Sequence, residues 1–493
     1  MTSTFLKALS PFVRVMPEVK TPDRDVSFRE KIVWTAVILI LFLLMSHIPL
    51  YGVNRDVGTD YLWALRVILA STRGTLMELG IGPIVTAGLV MQLLSGSKII
   101  NVDFGDPEDR ALFTGGQKVL AMFMTAFQAI AYIFGNAYGV LEPNEMVIIF
   151  LQLFMSGIIV ILMDELIQKG WGLGSGVSLF IMTNVAGQVM YNALNFIDVE
   201  SMGPGGVATN LPKGIIAALA SNMMRAFTGS NPVDWGWFLI RDGFNPSVMS
   251  LIVTVIIVVA VIWMETVRVE IPLQYGKYRG MKARYPIKLL YTSNIPVILA
   301  QALFANIMFF GQIIYQNFNV GGFNPFLSWL GEFEPANDGT NRMIATSGLC
   351  KYVTPPQGLF SQTIPFDPVH VMIYAALMIL LCWGFSKIWV DISGIAPRDV
   401  SRQLLNSGYI VPGFRTSEKI LERLLDRYIP VVAGLGGFLV GILAAAADIM
   451  GALASGTGIL LMVSIIKQYY EQLAKEQLAQ MGGEGVSGLL GII

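Results

Sequence analysis

Nine long windows of this chain carry no Asp, Glu, Lys or Arg, and they constrain its fold more than any other feature. They run Ile32–Val53, Val119–Leu141, Met146–Met163, Gly172–Ile197, Gly243–Met264, Leu289–Gln316, Val371–Ser386, Tyr428–Ala447 and Ile449–Ile466. Crossing a hydrocarbon core of about 30 Å takes roughly 20 apolar helical residues. Windows of this kind are therefore read as membrane spans, with the last two separated by a turn near Asp448 to Ser455. Hydrophobic residues make up 54 % of the chain and charged residues 14 %, against roughly 25 % charged in soluble domains. The first window follows 31 residues with no small-residue cleavage site and reads as a retained span rather than a signal peptide.

A tenth apolar segment differs in kind. It follows Gly80-Ile81-Gly82-Pro83-Ile84-Val85-Thr86-Ala87-Gly88, and from Ile81 it reaches only Leu94, fourteen residues on, before Ser95-Gly96-Ser97 interrupts it. At ~1.5 Å per residue that is roughly 21 Å, too short for the hydrocarbon core. Tyr61 to Leu76, just before it, reads as another short, partly polar helix. Broken backbone inside a membrane survives only where protein covers it or where it lines an aqueous path. The chain thus hints at a pore.

Of the 33 Lys and Arg residues, 25 fall on one side of the alternating connections and 8 on the other. The positive-inside rule puts the basic side, and with it both termini, in the cytosol. Ten spans satisfy that orientation and divide into five and five. Because five is odd, two similar halves would be inverted relative to one another. The expected fold is an all-α polytopic membrane protein of two inverted five-helix halves. Residues 1–197 form the first half, 198–242 an external connection and 243–493 the second half, with no evident sequence identity between them.

Enzyme chemistry finds little support. Gly172-Leu173-Gly174-Ser175-Gly176 and Gly434-Leu435-Gly436-Gly437 lack both the preceding strand and the Lys-Ser/Thr of a phosphate loop. They read as glycines of helix ends and helix contacts. Two histidines, His47 and His370, exclude a helical His-Glu-x-x-His zinc site, and no cofactor is expected. Cys350 in a polar connection and Cys382 in a span are not expected to pair. Asp164, Glu165 and Glu265 fall at span ends within reach of water. Glu78, beside the broken segment, is the one candidate for a functional intramembrane charge, and its plainer reading is a solvated helix-end residue.

Two connections on the basic side stand out, about 265–288 and 391–427. In the first, Val267-Arg268-Val269-Glu270-Ile271 alternates as a strand does, and Gly276 to Gly280 reads as a hairpin turn. The second includes Gly413-Phe414-Arg415 and a mixed-charge helix from Ser417 to Arg427. A cationic, tyrosine-bearing hairpin suits RNA phosphate or anionic lipid. Enforcing topology alone is an equal reading of both loops.

Several separated motifs then resemble one family. Gly80 to Gly88, Tyr285-Pro286-Ile287-Lys288, Ser293-Asn294-Ile295-Pro296-Val297-Ile298 and Gly456-Thr457-Gly458 resemble the SecY family, the central (alpha) subunit of the Sec protein-conducting channel. Arg268-Val269-Glu270-Ile271-Pro272-Leu273 and Leu303-Phe304-Ala305-Asn306-Ile307 are similar to its archaeal branch, and the resemblance runs from about Pro17 to Leu473. It implies a central hourglass pore sealed by a ring of Ile81, Val85, Val177, Ile181, Ile298 and Leu461. Family members favour Ile at the place of Val177, which makes the ring slightly wider here. A re-entrant plug helix at about 61–73 would contain Tyr61, Leu62, Trp63, Leu65, Arg66, Ile68 and Leu69, with Arg66 and Arg73 on its wet side. A lateral gate would lie between the segment after Ile84 and the seventh span, with Thr86, Gln128 and Asn306 as its polar cluster. Gln128 stands where some archaeal members carry Glu. The Gly-Pro break would separate plug from gate so that each moves independently.

Lys277, Arg279, Gly280 and Arg415 match the family's cytosolic contact positions. The implied partners are a SecE-like subunit and a small beta subunit, the ribosome, signal peptides with nascent secretory or membrane proteins, the targeting-receptor machinery and the lipid bilayer. The implied function is passive, gated passage of unfolded polypeptides and lateral release of transmembrane segments. The implied location is an archaeal cell membrane, or alternatively the endoplasmic reticulum. A secondary transporter with inverted repeats explains the broken segment equally well, but not the basic loops or the lack of a midplane charge.

Overall fold

The structure, a computed structural model, describes residues 11–481 apart from 25, 54–65, 67–68, 98, 101, 103–106, 136, 140, 203–207, 229–240, 242–245, 276–281, 293, 319–323, 336–342, 357–366 and 411–416. Ten helices stand at the ten apolar segments: α1 (Phe28–His47), α2 (Gly82–Gly96), α3 (Pro107–Phe134), α4 (Pro143–Leu166), α5 (Gly176–Leu194), α6 (Val248–Thr266), α7 (Ile295–Phe318), α8 (Pro368–Ile392), α9 (Glu418–Met450) and α10 (Gly456–Met481). Six of them, α3, α4, α6, α7, α8 and α9, are each long and apolar enough alone to cross a membrane. The break is real: α2 has 15 residues.

Local chemistry sets the helix ends. Ser27 caps α1 by accepting from the Glu30 N–H, and Asp367 caps α8 by accepting from the Val369 and His370 N–H groups. Pro143 and Pro368 occupy first-turn positions, where a missing N–H removes no helical bond. Gly451, at φ +67°, ends α9 in the left-handed region. The turn between the last two spans is therefore residues 451–455, inside the expected interval.

Two boundaries differ from expectation. α3 starts at Pro107 rather than Val119, because its first turns are polar helix that a charge-free window excludes. α9 is one helix of 33 residues that fuses the expected mixed-charge helix to the ninth span across Pro430. A proline removes one backbone bond and kinks a helix without having to end it; the turns on either side are amphipathic or buried and continue.

Small residues let the helices approach. An added Cβ at Gly437 of α9 would stand 2.5 Å from Ser386 Cβ of α8, and one at Gly441 would stand 2.8 Å from Ile379 Cα. Gly157 of α4 likewise faces Thr125 of α3, where a Cβ would collide with the threonine methyl group. This is the close backbone packing that membrane helices use where burial from water supplies no driving force. Ser386 adds a hydrogen bond across the α8–α9 contact, donating to the Ala433 carbonyl at 2.6 Å.

The connections carry structure of their own. β3 (Arg268–Tyr275) and β4 (Lys282–Lys288) form the expected antiparallel hairpin, with Ile271 opposite Tyr285, and β7 (Tyr409–Ile410) pairs with the end of β3. Ile271 and Leu273 are buried while Glu270 and Pro272 between and beside them are exposed, the period of a one-sided strand. Ile271, Leu273 and Ile287 share a core with Val400 of the short helix Pro397–Asn406 and with Leu421, Leu425 and Ile429 of α9. The two basic loops, separate in sequence, are thus one packed unit on what we call the hairpin side. Across the hairpin, the Arg284 guanidinium lies 2.7 Å from Glu270 and holds its carboxyl below the usual range.

On the opposite side, β1 (Asp198–Met202) pairs with β2 (Ala208–Pro212), and β5 (Glu332–Pro335) with β6 (Met343–Ser347), two hairpins without a counterpart among the sequence expectations. Cys350 and Cys382 are both free and buried. Burial pushes the Cys350 thiol up to about 12.

A bulky side chain at the α8–α9 contact has nowhere to go. Gly437→Leu is expected to lower stability by about 1–3 kcal/mol, read as a lower melting temperature of the purified protein. Leu435→Ala, on the exposed face of the same helix, is expected to shift it far less.

Candidate functional site

The break before α2 is held by a dense set of hydrogen bonds. Residues Leu69 to Leu79 are a run of turns, not the helix expected for Tyr61 to Leu76; of the remainder of that segment Arg66 is described, and Tyr61, Leu62, Trp63, Leu65 and Ile68 lie outside the described residues. Gly80 holds φ +54°, and a Cβ there would collide with the Leu69 carbonyl oxygen. Only glycine fits so near another backbone. The same carbonyl accepts from the Ile81 N–H at 2.9 Å. The Gly-Pro break therefore does not separate this segment from α2: the two are hydrogen-bonded to each other.

A buried ion pair fixes the turn. Arg66 Nη2 donates to Glu78 Oε1 at 2.7 Å, and their side chains are 13 % and 1 % exposed. Arg66 Nη1 also donates to Ser71 Oγ at 2.9 Å. The Gly74 N–H donates to the other Glu78 oxygen, and the Ser71 hydroxyl donates to the Glu78 carbonyl. Glu78 thus departs from the solvated reading, being buried with its carboxylate bonded, while Arg66 keeps 13 % of its side chain exposed. The reason is that the turn has backbone donors and a carboxylate that can satisfy one another without water. Asn184 of α5 reaches the Arg66 carbonyl at 3.4 Å, and Leu50 after α1 bonds the Gly74 carbonyl at 3.0 Å. Arg73 is half-buried.

Ile81 directly follows this turn, and the other five aliphatic residues singled out by resemblance belong to or pack against the same large core. Ile81, Val85, Ile181 and Leu461 are buried in one hydrophobic cluster, and Val177 and Ile298 pack against it half-buried. They come from four helices: α2, α5, α7 and α10.

Two carboxylates anchor the helices that carry three of these residues. Asp164, at the end of α4, accepts from the Val177 N–H at 3.0 Å and from Gln168 Nε2 at 2.8 Å. Asp448, at the end of α9, accepts from the Thr457 N–H at 3.1 Å and from the Tyr374 hydroxyl at 2.7 Å. Each caps the next helix in the chain, α5 and α10. Asp164 is therefore not a span-end residue open to water; it is buried. The Tyr469 hydroxyl of α10 adds a brace, lying 3.0 Å from the Leu173 and Ser175 carbonyls and accepting from the Ser175 N–H at 3.1 Å. Acids at the very ends of apolar windows are the sequence signal for such groups, but their partners are set by the fold.

The seam between α2 and α7 is polar at one level. Asn306 Nδ2 donates to Thr86 Oγ1 at 3.1 Å and to its own helix at the Ala302 carbonyl at 2.7 Å. Gln128 of α3 is buried nearer the start of α2, where a Cβ on Gly82 would lie 3.6 Å from its Oε1. Thr86 and Asn306 are thus brought together, and Gln128 faces the first turn of α2. Toward its other end α2 meets α8, with Gly96 against Ile388. Lys277, Arg279, Gly280 and Arg415 lie outside the described residues.

The SecY family profile matches residues 75–470, and that for the plug domain of Sec61p matches residues 40–74. Three solved structures share the fold over 96 % of this chain. A protein-conducting channel is 36 % identical with a TM-score of 0.77 over 98 % of its own chain. A SecY structure described for a plug domain that stabilises the closed translocation channel is 35 % identical, with a TM-score of 0.76 over 97 % of that chain. Sec61 in the canine ribosome-channel complex from the endoplasmic reticulum is 34 % identical, with a TM-score of 0.75 over 97 % of its chain.

Removing one member of a buried ion pair strands the other charge. Glu78→Gln is expected to cost about 3–5 kcal/mol locally, read as faster hydrogen exchange of the Gly80 and Ile81 amides. Replacing Arg66 and Glu78 together by Met and Gln is expected to recover part of that protection.

Proposed function

The chain belongs to the SecY family, and from that membership we propose that it forms the central pore of a Sec translocon: a gated channel that passes unfolded polypeptides across a membrane and releases transmembrane segments sideways into lipid. The SecY and plug-domain profiles, which together match residues 40–470, carry this reading, and the ring it assigns is Ile81, Val85, Val177, Ile181, Ile298 and Leu461. A constriction of aliphatic side chains dewets and blocks ions. The same side chains make no directional bonds, so they can part for a polypeptide of any sequence.

In this reading residues 1–197 and 243–493 are the two halves, with the hairpin side and both termini in the cytosol. The turn bearing Arg66 and Leu69 is the exit of the plug, which in the closed state covers the ring from outside. The plug and the first turn of α2 move together, because the Leu69 carbonyl bonds the Ile81 N–H. The Thr86–Asn306 contact is the polar level of the lateral gate. An interhelical hydrogen bond of this kind contributes ~0.6 kcal/mol, small enough for an arriving apolar signal segment to displace.

The unit built from both basic loops is the docking site for the ribosome, through Lys277, Arg279, Gly280 and Arg415. Canine Sec61, which this chain resembles over nearly its whole length, is described in complex with a ribosome. A SecE-like subunit, a small beta subunit and the targeting-receptor machinery complete the assembly, which sits in an archaeal cell membrane. The transporter reading loses its one candidate charge, because Glu78 is occupied by Arg66 and the Gly74 N–H within the chain.

Site-specific crosslinking of a stalled secretory chain tests the pore directly. Photocrosslinkers at positions 85 and 298 are expected to capture the chain, whereas failure at both would refute a central pore. Replacing Ile81, Val85 and Ile298 together by Ser is expected to raise the resting ion conductance of reconstituted channels above wild type.

Reversing the charge of Arg279 and Arg415 together is expected to weaken ribosome binding and lower its salt slope by about 2, roughly one for each phosphate no longer neutralised. Unchanged affinity and slope would place the ribosome contact elsewhere.

A further inference from the structure

Between α8 and α9, away from the ring and the α2 seam, lies a groove lined by Trp383, Lys387, Pro430, Val431, Gly434, Leu435 and Phe438. Its form follows from the sequence. Gly434 has no side chain, and a Cβ there would approach Trp383 Nε1 at 3.5 Å and Lys387 Cε at 3.8 Å. Pro430 lacks the N–H that would bond the Asp426 carbonyl, so the helix wall presents an extra acceptor at that point. Val431, Leu435 and Phe438 are exposed along the groove at helical spacing.

Among the described residues, one charge in the groove lacks an oxygen partner. Lys387 Nζ stands 3.8 Å over the Trp383 ring. The ring face stabilises a cation but accepts only one side of the ammonium, whose three donors need oxygen partners. Among the described residues Lys387 has no carboxylate partner, and the Trp383 indole N–H makes no hydrogen bond. Lys387 sits five residues before the end of α8 at Ile392, about 7.5 Å from the hairpin-side end of the span. Lys387 directly follows the charge-free window that ends at Ser386, the position at which Lys and Trp side chains anchor a span at the membrane interface. Arg427 adds a second cation, continuing the stripe of Val431 and Gly434 toward the hairpin side. Two acids flank the mouth, Asp391 one turn beyond Lys387 on α8 and Asp426 one turn before Pro430 on α9.

We propose that this groove binds an anionic phospholipid of the hairpin-side leaflet. Its phosphate sits on Lys387 and the Trp383 N–H, and one acyl chain lies along Val431, Leu435 and Phe438. Charge complementarity selects this occupant. A neutral lipid or an apolar partner helix would leave the ammonium and the indole N–H unmatched, whereas a phosphate answers both and its acyl chain covers the apolar floor.

The test is tryptophan fluorescence of the purified protein, with any subunits that copurify, in vesicles containing acyl-brominated phosphatidylglycerol or acyl-brominated phosphatidylcholine. Trp383→Phe identifies the signal of Trp383 by difference. We expect quenching of that signal at about fivefold lower mole fraction of the brominated anionic lipid, as one basic contact at a membrane surface confers. Lys387→Gln should abolish the preference while leaving the protein monodisperse, and Arg427→Gln should reduce it. Equal quenching by both lipids, or a preference that survives Lys387→Gln, would overturn the proposal. Quenching by neither would also overturn it, because another chain would then cover the groove.

Discussion

In a bilayer every backbone N–H and C=O must be satisfied by protein, and the rest of this structure depends on how that demand is met at the one place where a spanning helix is interrupted. The turn before α2 meets it with its own groups. Glu78 accepts from the Gly74 N–H and from Arg66, and Leu69 answers the Ile81 N–H. An unpaired polar group at that depth would cost several kcal/mol, so the short helix, the buried pair and the glycine at Gly80 stand or fall together. The apolar residues Ile81 and Val85 can face the interior because the polar groups beside them have already found partners.

The same demand recurs at the starts of α5 and α10, where Asp164 and Asp448 supply acceptors from the preceding helix. In each case the fourth helix of a five-helix set caps the fifth. Matching caps at the same place in each five-helix set are what two related halves would share, even with no recognisable sequence in common. Membership of the SecY family is consistent with this architecture.

Much of this is legible in the residues. The nine charge-free windows and the short segment after Gly80 locate α1 to α10 but not the helix Ile215–Phe227, and alternation in Val267 to Ile271 locates the β3–β4 hairpin. Helix ends rich in charge are not legible from apolarity, which is why α3 and α9 begin earlier than their windows. The β1–β2 and β5–β6 hairpins rest on pairing between polar segments that carry no periodic apolar signal. At the site, the six ring aliphatics are indistinguishable from core residues until a family resemblance selects them. Glu78 and Asp164 read as solvated for a physical reason: a charge near a helix end is usually wet, and only the three-dimensional partner shows that it is not.

The length of α9 has a mechanical consequence. Its 33 residues form a rod of about 50 Å whose outer end shares a core with the basic loops and whose inner part is packed, glycine against backbone, on α8. A load applied to the loops reaches the membrane as torque on this rod rather than as flexing of a linker. The rod's compliance is greatest at Pro430, where one backbone bond is missing, so that single residue sets how much of a push from outside is absorbed and how much is passed on to the paired helices within.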